Sequence, residues 1–195
     1  MSRYVSLTDL KEYLGLGTET DADGLLQQCL DRAERAIESY TRRNFVGTPG
    51  TNYYNRFEQE TNLAPGGAFY LGEDLHTLAA LTLGDGRVVP VGSVWLEPRE
   101  GPPYRVLRLK SAYAYSWNTD QDMVVSGTWG YGTTPPDDVQ QATVRYATYL
   151  YRQKDVTSND QAGFQEGGQQ PIAAGMPSDV RYLLAPYRSR SGGVV

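Results

Sequence analysis

Leu25-Leu26-Gln27-Gln28-Cys29-Leu30-Asp31-Arg32-Ala33-Glu34-Arg35-Ala36-Ile37-Glu38-Ser39-Tyr40 is the stretch that decides the fold. Its apolar residues, Leu25, Leu26, Cys29, Leu30, Ala33, Ala36, Ile37 and Tyr40, recur in steps of three and four. That spacing predicts an amphipathic helix with one buried stripe. Gln28, Asp31, Arg32, Glu34, Arg35 and Glu38 fill the other face, with Asp31 and Arg35 set for an i,i+4 pair. Asp21 or Asp23 is expected to cap the start, and the helix should end near 42–44. Such a helix must bury its stripe against another element.

Outward from this helix, the chain changes character twice. On the N-terminal side, Ser6 and Asp9 form an acidic variant of a capping box, Leu7, Leu10 and Leu14 fall at helical spacing, and Gly15 stops a short first helix. On the C-terminal side, residues 46–132 are punctuated by Gly, Pro and Asn, with short runs of β-formers between. The runs are Tyr53–Phe57, Phe69–Leu71, Leu78–Leu83, Arg87–Leu96, Tyr104–Leu109 and Met123–Trp129, so about five or six strands are expected. Gly84-Asp85-Gly86 reads as a hairpin-type turn. In the last run Val124, Ser126 and Thr128 alternate with Val125, Gly127 and Trp129.

Helix then returns. Thr134-Pro135-Pro136-Asp137-Asp138 is a start signal, with acids at the positive end of the helix dipole. Val139, Ala142, Thr143, Tyr146, Tyr149 and Leu150 form its stripe, which should run to about Lys154. Residues 155–176, rich in Gly, Gln, Asn and Ala, read as a long loop or flexible segment. A last short helix follows, with Ser178 as cap, Val180, Leu183 and Leu184 as contacts, and Pro186 as its end. The expected class is α+β, a small bundle of about four helices with a β-rich unit inserted between the second and third. Residues 1–45 and 133–187 would make the helical core, 46–132 the insertion and 188–195 a flexible tail.

Composition narrows the function. The 195 residues are 39% hydrophobic and 21% charged, with a net charge of −5. An acidic chain does not suit tight DNA binding, which needs clustered Lys and Arg. Fifteen Tyr against four Phe suit either sheet surfaces or subunit contacts. With the single Cys29 in the helix stripe, no intrachain disulfide forms, and an inert core thiol in a reducing cytoplasm is expected. The N-terminus lacks the apolar run of a signal peptide, and no window approaches the ~18 apolar residues of a membrane span.

Catalytic chemistry finds little footing. His76 is the one histidine, and no G-x-S-x-G elbow accompanies it. The acid pairs Asp21/Asp23, Asp120/Asp122 and Asp137/Asp138 read as turn and cap carboxylates, and no EF-hand follows them. Glu58, Glu60, Glu73, Asp74, Glu97 and Glu100, with Trp95, Trp117 and Trp129, are the residues a carbohydrate-active site would use, but they form no motif. Neither a P-loop nor a dinucleotide fingerprint is present. No cofactor or metal is called for. Arg32, Arg35, Arg42 and Arg43 are mostly interleaved with acids, as on a solvated face or subunit contact. Arg181, Arg188 and Arg190 gather near the C-terminus, where they either meet an acidic partner or form a soluble tail.

Two stretches resemble a known family. Val5-Ser6-Leu7-Thr8-Asp9-Leu10-Lys11-Glu12-Tyr13-Leu14-Gly15, then Asp21-Ala22-Asp23-Gly24-Leu25-Leu26 and the long helix to Arg43, resemble the opening of tailed-bacteriophage head–tail connector (adaptor, head-completion) proteins. Val124-Val125-Ser126-Gly127-Thr128-Trp129-Gly130-Tyr131-Gly132, then Pro135-Pro136-Asp137-Asp138-Val139 and Tyr149-Leu150-Tyr151-Arg152, resemble that family's closing strand, proline break and helix. The middle region looks longer than in short family members.

The resemblance implies a structural virion protein without catalytic residues. It would form a homo-oligomeric ring, typically a dodecamer, beneath the portal protein. The ring would extend the DNA channel without sequence-specific binding and offer a platform to a stopper or tail-completion protein. Its location would be the virion neck, after assembly in the host cytoplasm, with no membrane involved. By analogy Arg181, Tyr187, Arg188 and Arg190 would dock on the portal. The competing readings are another phage tail or neck completion protein and, less favoured, a carbohydrate-binding module.

Overall fold

The computed structural model describes residues 4–64, 67–110, 117, 120–159 and 175–189. The chain divides into two units, one from Met1–Arg42 with Pro135–Ser189 and one from Arg43–Thr134. The class is α+β, with five α-helices among the described residues and an antiparallel sheet.

In the first unit, α1 (Leu7–Leu14) starts at a full capping box. Ser6 Oγ accepts from the Asp9 N–H, and Asp9 accepts from the Ser6 N–H. Gly15 ends it in the left-handed region, at φ 70°. The long helix α2 (Asp23–Thr41) buries Leu26, Cys29, Leu30, Ala33, Ile37 and Thr41, and also Glu34, which was expected on the polar face. Leu25, at the margin of the predicted stripe, is exposed. Ala22 rather than Asp21 or Asp23 stands at the N-cap, with no side-chain bond to the helix. The Asp23 carboxylate is engaged elsewhere, 2.8 Å from Lys11 Nζ.

Helix α4 (Asp137–Asn159) packs on α2 and on α5 (Ser178–Leu184). It runs past the expected end near Lys154. Its buried positions are Val139, Ala142, Thr143, Ala147 and Thr148. Tyr146, Tyr149 and Leu150, predicted in the stripe, are half-buried at its edge. Ala142 is buried as expected, whereas Ala147 and Thr148, outside the predicted stripe, are buried in place of the tyrosines. Pro177, not Ser178, occupies the α5 N-cap. The chain continues past Leu184 as a 3₁₀ turn, Ala185–Tyr187, which contains Pro186. The predicted flexible segment lies largely outside the described residues, at 160–174, as do residues 190–195 of the tail.

The second unit is a seven-stranded antiparallel sheet in the order β1-β7-β3-β6-β5, with β2 and β4 also paired to β3. Its strands are β1 (Thr48–Tyr54), β2 (Leu63–Ala64), β3 (Ala68–Thr82), β4 (Val88–Val89), β5 (Val94–Glu97), β6 (Tyr104–Leu109) and β7 (Met123–Trp129). The alternation read in β7 is observed, with Met123, Val125, Gly127 and Trp129 on the buried face. A Cβ at Gly127 would collide with the Thr77 carbonyl oxygen, so only glycine lets β3 and β7 close. Phe69, Leu75, Leu81, Leu107, Met123 and Val125 are fully enclosed in the core of this unit.

Three expectations for this region need correction. The run Tyr53–Phe57 is not one strand, because β1 stops at Tyr54 and α3 (Arg56–Asn62) begins. Asn55 and Glu58 form a second capping box, a stronger local instruction than the β-propensity of Phe57. Phe69–Leu71 and Leu78–Leu83 belong to one strand, β3, irregular between Tyr70 and Leu75, where Gly72 adopts φ 77°. The run Arg87–Leu96 is broken by a 3₁₀ turn at Val91–Ser93, just after Pro90, which has no N–H for the ladder. Gly84-Asp85-Gly86 does form the turn between β3 and β4, with the Leu83 N–H bonded to the Arg87 carbonyl.

Candidate interaction surfaces

In the helical unit, the C-terminal residues are held against the start of α4 and the end of α2. Tyr187 donates to the Asp138 carboxylate at 3.3 Å. Ser189 N–H donates to the Thr41 carbonyl at 2.8 Å, supplying a partner to the end of α2. The Arg188 guanidinium lies 5.5 Å from the centre of the Tyr40 ring. Arg181 stands exposed on α5 beside Tyr182, which is 82% exposed. Of the four predicted docking residues, Tyr187 and Arg188 are therefore brought together on the helical unit. Arg181 projects from it, and Arg190 lies outside the described residues.

A cleft in the same unit is lined by Tyr13, Arg145, Thr148, Tyr149, Arg152 and Asp179, among others. Arg145 and Asp179 pair at 3.2 Å across it. Tyr149 stacks on Tyr146, with ring centres 6.2 Å apart. Burial and the neighbouring Tyr149 raise the Tyr146 pKa above the ordinary phenol value. Reading α4 as a core stripe hid this cleft, because its tyrosines were assigned to the interior.

In the sheet unit, the carboxylates considered for sugar chemistry have other employment. Asp74 is buried and bound by two guanidinium groups, Arg43 at 3.0 Å and Arg105 at 2.6 Å. Arg43 also lies over the Tyr131 ring, and burial lowers its pKa despite the adjacent carboxylate. Glu60 pairs with Arg56, and Glu97 with Arg108. Trp129 is 7% exposed and donates to the Gly50 carbonyl. Trp117 donates to the Gly67 carbonyl and packs on Phe69. His76 is half-buried on β3. Among the described residues no group of three or more His, Cys, Asp or Glu could hold a metal ion, and no helix is long and apolar enough to cross a membrane.

Two surface features of this unit were not anticipated. A groove runs beside β1, lined by Asn52, Tyr53, Glu58, Asn62 and Glu73 among others. Tyr53 is 65% exposed and Phe57, the second residue of α3, 75%. Glu58 accepts from the Asn55 N–H and Glu73 from the Asn52 side-chain amide, and both are exposed. At the other end of the strand order, Trp95 on β5 is flanked by two cations. The Arg99 guanidinium lies 3.0 Å and Lys110 Nζ 4.8 Å from its ring centre. The Asn55-x-x-Glu58 spacing was a legible sign of α3, but nothing local marks Arg99 and Lys110 as neighbours of one indole.

These surfaces sit in a fold and a sequence with known counterparts. Residues 4–65 match the family described as "Phage gp6-like head-tail connector protein". No curated protein sequence matches the chain. Among solved structures, a chain in the neck of an empty gene transfer agent (GTA) particle, computed with C6 symmetry, superposes with a TM-score of 0.62 at 22% identity. The match covers 95% of this chain and 90% of that one. A chain in the virion of a native gene transfer agent particle gives 0.55 at 19% identity, over 95% and 90% of the two chains. One in a native neck computed with C12 symmetry gives 0.52 at 18%, over 97% and 96%. The match to the connector family covers α1, α2 and the first part of the sheet unit, and the fold shared with the neck chains extends over nearly all the rest. Residues 4–65 are thus similar in sequence to the phage head–tail connector proteins, and the fold of nearly the whole chain is similar to that of the gene transfer agent neck chains.

Proposed function

We propose that the protein is a head–tail connector, a structural component of a virion neck that joins the capsid to the tail. The observation that carries this reading is a fold shared over 95% of the chain with a neck protein, joined to a connector-family match at residues 4–65. The work of such a protein is assembly rather than catalysis, and we read it as no enzyme. Its connector core is the bundle of α1, α2, α4 and α5, residues 1–45 and 133–187, with the sheet unit 46–132 as an insertion.

In this reading the copies form a ring, a dodecamer in the virion, supported by the C6 and C12 symmetry of the related necks. The ring contacts the portal protein on one side and a stopper or tail-completion protein on the other. DNA passes through without sequence-specific contact, in keeping with the net charge of −5. Arg181, Tyr187, Arg188 and Arg190 are the portal-docking residues, and an acidic surface is the partner they suit.

Native mass spectrometry of the full chain, alone and with the portal protein, tests the reading. A ring near twelve copies, or a portal complex lost on deleting residues 187–195, is the expected result. A chain that remains monomeric and ignores the portal would move the assignment to another neck or tail completion protein.

A further inference from the structure

We infer that neighbouring copies in the ring meet through the sheet unit, the acidic aromatic groove beside β1 of one copy receiving the Trp95–Arg99–Lys110 patch of the next. This rests on the connector reading and specifies the contact that builds the ring. Three observations carry it.

The first is an unguarded edge. β1 is the terminal strand of the sheet, seven residues long, and its sequence TPGTNYY contains no charged residue. Thr48, Pro49, Gly50, Thr51 and Tyr53 are all exposed. Edge strands left open to solvent usually carry charges or are covered, because a bare edge invites pairing with another chain. Pro49 guards β1, and the Gly50 and Tyr54 carbonyls accept from the Trp129 and Gln59 side chains, but no charge stands on the strand. The opposite edge, β5, is four residues long, ends in the Glu97–Arg108 pair and is covered over Trp95 by Arg99.

The second is complementarity of chemistry. The groove offers Glu58 and Glu73, each held by a neutral hydrogen-bond donor, so their negative charge is oriented but not cancelled there by a cation. Tyr53 adds exposed aromatic area to the groove. The patch on the β5 side offers two cations ordered on an indole. A cation aligned on a ring is positioned before it meets a carboxylate, which lowers the ordering cost of contact.

The third is topology. The groove is built on β1, at one end of the strand order, with Leu71 and Glu73 of β3 on its wall, and the patch is built around β5 at the other end, so the two are different faces of the unit. A contact between two different faces is heterologous, and a heterologous contact that closes generates a ring.

The test uses the full chain with portal protein, and particles assembled with it. Tyr53→Cys combined with Arg99→Cys should yield, on mild oxidation, a ladder of covalent oligomers, while either single variant yields none. The native Cys29, 3% exposed, stays out of the reaction. In parallel, Glu73→Lys or Arg99→Glu alone should raise the concentration needed for assembly by about tenfold, and the two together should restore it. Rings that form without the ladder, or disulfide dimers from a single variant, overturn the inference, as do charge variants that assemble like the wild type. In those cases the connector reading stands. A full chain that neither associates with portal nor enters particles overturns the connector reading and the inference with it.

Discussion

The Ser189 N–H donates to the Thr41 carbonyl at 2.8 Å, so the end of the described chain supplies a hydrogen-bond donor to the last turn of α2. Two residues with 147 positions between them thereby close one helix end, and Arg188 over Tyr40 secures the same junction. The C-terminal segment is thus part of the helical unit up to Ser189, whatever it docks on.

Truncation separates the two roles. Deleting residues 187–195 should cost the helical unit about 1.5–4 kcal/mol, the sum of two modest hydrogen bonds and a cation–π contact. Deleting only 190–195 leaves those contacts in place and should keep the melting temperature. Differential scanning calorimetry of the two truncations, beside portal binding, checks this. A shorter deletion that destabilises as much as the longer one would contradict it.

Asp74 holds Arg43 and Arg105 together inside the sheet unit, with only 3% of its side chain exposed. Asp74→Ala should destabilise by about 3–5 kcal/mol, because two guanidinium groups lose their counter-charge where water replaces it poorly. Urea unfolding followed by tryptophan fluorescence reads this, since Trp95, Trp117 and Trp129 all report on this unit. A loss below about 1 kcal/mol, the scale of an exposed pair, would show that the triad is solvated.

Gly127→Ala places a methyl group against the Thr77 carbonyl, backbone that has no rotamer to yield. The expected penalty is about 1–3 kcal/mol or more, seen as reduced soluble yield and a lower unfolding midpoint. Gly24, with nothing near its Cβ position, is the control. Gly24→Ala should be neutral or mildly stabilising.

Arg42 closes α2 at φ 54° and ψ 40°, a left-handed conformation that glycine adopts without strain. Arg42→Gly should therefore hold stability or raise it by up to about 1 kcal/mol, although it removes a side chain. A clear loss in thermal unfolding would reveal a contact of the Arg42 side chain that matters more than its backbone.

Tyr54 provides the pH dependence. Its hydroxyl donates to the Leu71 carbonyl at 3.0 Å, and burial, then Glu73 and Glu58, push its pKa well above the ordinary phenol value of 10.0. The neutral form is thus the one the fold accommodates. Below pH about 10 folded and unfolded states are both neutral, and stability from this group is fully present. As pH rises from there toward the elevated folded value, the unfolded chain ionises first and stability falls. Tyr54→Phe should cost about 1 kcal/mol at pH 7 and flatten that alkaline decline. An unchanged alkaline slope in the variant would assign the decline to other tyrosines.

Local patterns determined much of this protein. The stripe from Leu26 to Ile37 gave α2 because 3.6-residue periodicity is written residue by residue, and Met123–Trp129 gave β7 because alternation is too. The connector resemblance was legible for the same reason in the contiguous run Val5–Gly15, which lies within the matched residues 4–65. Tertiary structure decided the rest. Tyr146 and Tyr149 sit half-buried at the edge of the α4 stripe while Ala147 and Thr148 are buried, because what packs on the helix decides which residues its stripe buries. Asp74 was one carboxylate among six until folding brought Arg43 and Arg105, each 31 positions away, to its two oxygens. The β1 groove and the Trp95 patch likewise depend on strand order, a product of long-range pairing that no local spacing encodes. Periodicity fixes which face of an element is apolar, but which charges meet across a sheet is settled only when the strands choose their neighbours.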